Sequence, residues 1–523
     1  MAASPGWPAE SGRAPRRGSR SPDPFHHICC VRSARRSGEE PVSQSIEPSA
    51  RRTQPTVLKF GGTSVADADA LQRLARLVRR AYQSTRTVVI VSALAGVTDA
   101  LLTAVDAAAS GAGDPKRPRP ELDALIERHQ GIATRLARPQ GAAGLGIALA
   151  RARAEIAELL NAIAREPERR PALRDEIAAY GERLSAALVT AVLGAADLPA
   201  RYVDARRCLL TDAAHGRATP LFPQTEEHTR AELAPLLDGE LIPVLGGYIG
   251  ATPQGVTTTL GRGGSDYSAA LVGAALGARE IQIWTDVNGV LTADPRVVAD
   301  ARTIPALSYA EAAELAYFGA KVLHPRTLQP ATDHGIPVRI CNSRAPGEPG
   351  TLVTAQGVGR VGTVTAIAHK SGITVLQITS TRMLGAYGFL RGLFEVFERH
   401  RTVVDVVTTS EVSVSLTVDD AASLPQIIAE LRPLGLVAIE SDRAIVCVVG
   451  EGLRTTPGIA ARVFATISDI NVSLISQGAS RVNLTFVVDN ARAREVVQRL
   501  HAALFALEPA DLDTAAAAGE RMP

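Results

Sequence analysis

The C-terminal part of the chain repeats itself at an offset of about 70 residues, and this constrains its fold more than any single element does. Gly388-Phe389-Leu390 aligns with Gly458-Ile459-Ala460, Phe394 with Phe464, and Val404 with Leu474. Ser410 through Asp419 aligns with Ser480 through Asp489, and Val375 to Ile378 with Ile445 to Val448. Each copy reads strand, glycine-initiated helix, strand, alternating strand, helix, strand. That pattern predicts two ferredoxin-like βαββαβ units, over 363–440 and 441–510. Such units commonly pack side by side, and their shared groove is a natural ligand site; a dimerisation module without a ligand is the alternative.

A different rhythm precedes the repeat. Thr56 to Phe60 predicts a strand, Gly61-Gly62-Thr63-Ser64 a turn, and Ala70, Leu71, Leu74, Leu77 and Val78 a helix by their spacing. Thr87 to Val91 is a β-branched run ending at Ser92, followed by another small-residue loop and another helix. Strand, loop and helix twice over predict an α/β domain with a mainly parallel sheet between layers of helices, over 55–350. Residues from about Ala100 to Leu193 are expected to be helical, and further strands are expected at 200–203, 241–245, 281–284 and, as the last of this domain, 337–340.

The stretch from Gly255 to Lys321 carries the strongest chemical signal. Glycines at 261, 263 and 264 leave backbone N–H groups uncovered for anionic oxygens, and Arg262 adds a planar fork of donors. Ser265-Asp266 reads as the N-cap of a helix over Tyr267–Ala275, whose positive end faces the same anion. Asp286 follows a predicted strand, where open α/β sheets bind ligands.

A formal net charge of +2 on 523 residues argues against a polyanionic partner such as nucleic acid. The basic residues are almost all arginine; the only lysines are Lys59, Lys116, Lys321 and Lys370. A lysine kept in such a chain points to a need for a compact charge. Cysteines 29, 30, 208, 341 and 447 lack metal-ligand spacing and read as free thiols of a reducing, cytoplasmic compartment. No apolar run reads as a membrane span. Residues 1–54 read as a disordered leader, with Arg and Ser content that hints at a transit peptide but acidic residues that oppose it; 511–523 read as a disordered tail.

Four ordered motifs together resemble the aspartate kinases, the monofunctional lysine-pathway type most. They are Lys59 to Ala66, Thr257 to Asp266, Trp284-Thr285-Asp286 with Asp294-Pro295-Arg296, and Phe318 to Pro325; the resemblance runs from about Thr56 to Glu508. It implies an amino-acid-kinase domain followed by two ACT domains, and transfer of the ATP γ-phosphoryl group to the side-chain carboxylate of L-aspartate. By the same resemblance Lys59 stabilises the transferring group, Asp266 organises the site and Ser92 lines the phosphate path. Thr98, Glu182, Arg262, Gly263, Gly264 and Ser265 hold aspartate, with Arg262 on a carboxylate and Glu182 on the ammonium. ATP, with Mg²⁺, lies against Lys59, Phe60, Gly61, Gly62, Thr285, Asp286, Leu291, Arg296, Lys321 and Val322. No side-chain metal site is implied. Met383, Gly388, Phe389, Leu390, Val404, Asp405, Ser410 and Glu411 match the family's effector positions.

Three positions depart from the family pattern. Leu291 stands where close members carry Tyr, and Ala386 and Val403 stand where lysine-inhibited members tend to have Ser. The last two departures count against lysine as the effector; the resemblance still puts lysine ahead of threonine, its competitor, and a homodimer through the ACT units is expected. Two other readings remain open: another amino-acid kinase, against which the tandem repeat speaks, and a silent amino-acid sensor, against which Lys59, Arg262 and Asp266 together speak. The short Ala-rich segment after Glu508 leaves no room for a fused dehydrogenase, and Gly144-Leu145-Gly146 lacks the strand and third glycine of a dinucleotide site.

Overall fold

The structure is a computed structural model and describes residues 52–110, 120–319, 325–357, 362–385 and 387–505. The predicted leader, apart from its last residues, and the predicted tail lie outside them, as do Lys321, Val322 and Ala386.

Among the described residues ten strands belong to the first domain: β1 (Arg52–Phe60), β2 (Thr85–Val91), β3 (Ala200–Val203), β4 (Ile242–Gly246), β5 (Ile249–Ala251), β6 (Thr257–Thr259), β7 (Glu280–Thr285), β8 (Ala306–Ser308), β9 (Val338–Asn342) and β10 (Thr351–Thr354). Eight form one sheet in the order β3-β4-β2-β1-β7-β9-β10-β8, and β5 and β6 form a separate hairpin. From β3 to β9 every pairing is parallel; β10 runs antiparallel to β9. The chain builds outward from β1 in both directions, so the carboxyl ends of β1 and β7 flank the point where the strand order reverses. One expectation fails here. β9 is not the last strand, because β10 pairs with it and with β8 and carries the sheet past residue 350.

Period-two alternation in β1 decides what faces the site. Leu58 and Phe60 enter the core under the helices Ala68–Ser84 and Arg170–Ala195. Val57 enters the opposite core, beneath the helix Gly264–Leu276, and Lys59 shares that face. β2 alternates in step, with Val89 and Val91 on one side and Val88 and Ile90 on the other. The helix Arg170–Ala195, with the short turn before it, is long and apolar enough to cross a membrane, which corrects the sequence expectation; it is instead mostly buried inside this domain.

The remaining strands are β11 (Ala366–Thr379), β12 (Val407–Thr409), β13 (Ser413–Val418), β14 (Leu436–Val449), β15 (Leu474–Gln477) and β16 (Asn483–Asp489), in one sheet ordered β12-β13-β11-β14-β16-β15. The repeat is present as read: Gly388 and Gly458 each cap a helix at φ +81°, and β12-β13 matches β15-β16. The units are not consecutive blocks, however. The first half of β11 pairs with the second half of β14 (Ala366 with Val449, Ser371 with Ala444), and its second half pairs with the first half of β14. The second unit thus takes its fourth strand from upstream of the first, which is inserted within it. Two unit-length strands run straight into each other at β11, across a register shift beside Gly372, and no turn marks the join in sequence.

The two halves of the molecule share a core. Ala293 and Val298, on the loop that leads to Arg302, pack with Val448, Val497 and Leu500 of the second unit. Thr292 Oγ1 lies 2.9 Å from His501 Nε2, and Gln498 donates to the Val297 carbonyl at 2.8 Å.

Candidate active site

A cavity of about 550 Å³ opens at the carboxyl ends of the central strands. Lys59, Ser92, Thr98, Glu182 and Arg262 to Asp266 line it, although they come from five separate segments. Close backbone approach makes this possible. A Cβ at Gly246, at the end of β4, would lie 2.9 Å from Glu182 Cβ, and one at Gly247 would lie 2.7 Å from Ser265 Cβ. Any larger residue at either position would push the helix carrying Glu182, or the turn carrying Ser265, out of the site.

Lys59 Nζ sits 2.5 Å from Asp266 Oδ1, and both side chains are largely buried. Asp266 lies in the first turn of its helix and not at the cap. The cap is Gly263 at φ +72°, so the helix starts at Gly264, three residues before the expected Tyr267. The shift turns Ser265 and Asp266 into first-turn residues, and the first-turn N–H groups lack partners within the helix. Arg262 is exposed, and among the described residues its guanidinium has no ion-pair or hydrogen-bond partner.

Glu182 is 4% exposed. Its Oε1 takes one long bond, 3.4 Å, from the Ala93 N–H, while Oε2 has no partner. Burial pushes its carboxyl up to about 8, against the pull of the Ala93 N–H, its own N–H and the charge of Lys59. A buried carboxylate with one bare oxygen facing a cavity is costly unless a cationic ligand completes it.

The loop after β1 ties together the residues that the resemblance assigns to ATP. Gly61 N–H donates to the Trp284 carbonyl at 3.0 Å, Ser64 Oγ lies 2.8 Å from Ser343 Oγ, and Ser343 Oγ donates to the Thr285 carbonyl at 3.0 Å. These bonds join Phe60, Gly61 and Gly62 to Thr285 and Asp286 across the crevice. A Cβ on Gly61 would stand 3.7 Å from Lys59 Nζ. Leu291 is half-buried, paired with Thr303, and the exposed Arg296 is held by Asp294 at 2.6 Å.

These features are matched in known proteins. The model of the amino acid kinase family covers residues 54–342, and that of an ACT domain covers 446–504. Lysine-sensitive aspartokinase 3 of Escherichia coli is 39% identical over 462 residues, spanning 86% of this chain and 99% of that protein. The chain belongs to the aspartokinase family. Chloroplastic aspartokinase 3 of Arabidopsis thaliana is 38% identical, over 86% of this chain and 81% of that one. The crystal structure of E. coli aspartokinase III with aspartate and ADP superposes with a TM-score of 0.74 at 37% identity, over 86% of this chain and all of the other. Its complex with lysine and aspartate gives 0.71 at 38% identity, over 86% of this chain and 99% of the other.

The residues that the resemblance matches to effector positions lie on the first repeat unit. Gly388 caps the helix Phe389–Arg399, Met383 ends a short turn, and Leu390 is 40% exposed. Val404 and Asp405 precede edge strand β12, whereas Ser410 and Glu411 follow it. Asp405 is already engaged: Lys370 lies 2.9 Å away and the Tyr317 hydroxyl donates to it at 2.5 Å. So Lys370, unassigned from sequence, anchors a junction between the domains. Sequence reading also missed Asp175, Tyr248 and Ser343, the first two of which line the cavity. Tyr248 adopts φ +65° after Gly246-Gly247, a strained position no residue-type pattern announces.

Proposed function

We propose that this aspartokinase-family enzyme phosphorylates the side-chain carboxylate of L-aspartate with ATP, and that its repeat units bind lysine as an end-product inhibitor. The observation that carries the reading is the cavity in which a partnerless Arg262 fork, the bare oxygen of Glu182 and the Lys59–Asp266 pair converge. Aspartate needs an anion fork and an ammonium acceptor at one end, and at the other a route to a phosphoryl group. The nucleophile is ionised at neutral pH, so no base is required; the obstacle is contact between two anions. Lys59, held by Asp266 on the face of β1 that looks at the cavity, neutralises the γ-phosphoryl oxygens as the carboxylate oxygen bonds to phosphorus and the bond to the β-phosphate oxygen breaks. The N–H groups of Gly62, Ser265 and Asp266 supplement it. Mg²⁺ supplies further charge cancellation when bound.

The described cysteines, 208, 341 and 447, are free and buried, which supports a reducing, cytoplasmic setting. Edge strand β12 and the exposed Val403, Val407 and Val412 around it support a homodimer in which a second copy covers this edge.

Activity titrations with ATP, Mg²⁺, aspartate and hydroxylamine, adding lysine and threonine separately and together, test the reading. Hydroxamate formation inhibited by lysine is the expected result; activity on glutamate instead of aspartate would overturn it. Gly388→Asp is expected to raise the lysine concentration for half-inhibition about tenfold or more, because it sets a negative charge at the effector's carboxylate. Nothing lies within 4 Å of the new Cβ, and Asp tolerates positive φ better than most residues, so the variant should fold. Unchanged inhibition would remove the helix start at Gly388 from the effector site.

A further inference from the structure

Resting on the aspartate-site reading, we propose that Asp175 is a positioning residue that fixes the arginine-bearing loop from below. Asp175 lies seven residues before Glu182 on the same face of the helix Arg170–Ala195, and it is 2% exposed. Its carboxylate accepts from Thr259 Oγ1 at 2.7 Å and Thr259 N at 3.1 Å, from Gly216 N at 3.0 Å, and from His215 Nδ1 at 2.9 Å. These donors belong to two segments that meet at the root of the loop. Thr259 ends β6 and is followed by Leu260-Gly261-Arg262. Gly216 lies directly behind Gly261, where a Cβ would stand 3.0 Å from the Gly216 carbonyl and where φ is +77°.

A carboxylate with four converging donors is a rigid clamp, since both oxygens accept and neither must rotate. Among the described residues Arg262 has no side-chain partner, so its placement is inherited from the backbone beneath it. One helix thereby sets both ends of the amino-acid site, Glu182 directly and Arg262 through Asp175. Asp175→Asn keeps the shape but turns an NH₂ group toward N–H donors, which loosens the root of the loop without removing any group that meets substrate.

The test is steady-state kinetics on full-length Asp175→Asn, Arg262→Ala and the double variant, with Thr259→Val as a milder second probe. Asp175→Asn is expected to raise the KM for aspartate on the order of tenfold while the KM for ATP stays within about twofold. In the double variant most of the Arg262→Ala loss should already be spent, so the effects are not additive. A role confined to stability would lower the melting temperature, leave the two KM values in proportion and give additive losses, and that outcome overturns the proposal. If Asp175→Asn fails to fold, Thr259→Val decides: a selective rise in aspartate KM supports the clamp and an unchanged value refutes it. Should Arg262→Ala leave the aspartate KM untouched, the aspartate-site reading fails first, and the two failures are thereby told apart.

Discussion

Lys59→Ala is expected to reduce phosphoryl transfer by about a thousandfold while leaving a folded protein. Loss of one preorganised charge aimed at a transition state typically costs on the order of 10²–10³ in rate, and among the described residues the nearest other cations are committed elsewhere. Lys370 is committed to Asp405, and Arg296 is already paired with Asp294. Arg262 faces the amino-acid end of the cavity in the proposed mode. The scaffold should survive, because the apolar neighbours of Lys59 on β1, Val57, Leu58 and Phe60, are untouched and fully buried. Asp266 would lose its cation, a cost of about 1–3 kcal/mol at a site open to solvent on one side. Lys59→Arg is not expected to rescue: the ammonium stands 2.5 Å from Asp266, in room that the compact charge of lysine fits and a planar fork does not. Hydroxamate assays with circular dichroism on the same samples check both halves. Near-normal product from a folded Lys59→Ala protein would remove this residue from the chemistry.

Much of this arrangement was legible in sequence because it is local. The strand ending at Lys59-Phe60, the glycines at 61 and 62 and the loop from Gly261 to Asp266 each declare themselves within ten residues. The scarcity of lysine singled out Lys59. What escaped was non-local. Asp175 sits inside an Ala-rich helix with nothing beside it to mark a role; its partners are 40 and 84 residues away. The interleaving of the two repeat units escaped because a strand's composition states that it is buried, not which neighbour it pairs with. The helix start at Gly263 was missed because Ser265-Asp266 resembles a cap chemically, whereas the conformation at Gly263 decides the matter. The β10 strand is four residues long and reads as a loop after Gly350.

The fold also packs the repeat units against a loop that the proposed mode puts beside ATP. The loop with Asp294 and Arg296 is packed into the core of the second unit, and Asp405 of the first unit holds Tyr317 of the kinase domain.

Aspartate binding at neutral pH is expected to expel a proton from Glu182, and this gives the second large effect. In the free protein the carboxyl titrates at about 8 because burial outweighs its two backbone bonds and Lys59, so at pH 7 it is mostly neutral. An ammonium docked against Oε2 favours the ionised form and pulls the titration down. Below pH 8 the apparent affinity for aspartate should therefore rise with pH, by up to about tenfold per unit, and level off above it. Calorimetry in two buffers of different ionisation enthalpy should show release approaching one proton at pH 7. For the unliganded fold the sign is opposite. The raised value means that the protonated, buried form contributes stability in full below the unfolded-state value of 4.5, and that contribution is lost as pH climbs toward 8. The melting temperature of the free enzyme should fall across that window, and saturating aspartate should flatten the slope. Glu182→Gln should remove both pH dependences and raise the aspartate KM by about a hundredfold, the cost of leaving a buried ammonium without its anion. A pH-independent aspartate KM with no proton release would mean that the ammonium binds elsewhere, and Glu182 would then be a structural acid that supports Gly246 and nothing more.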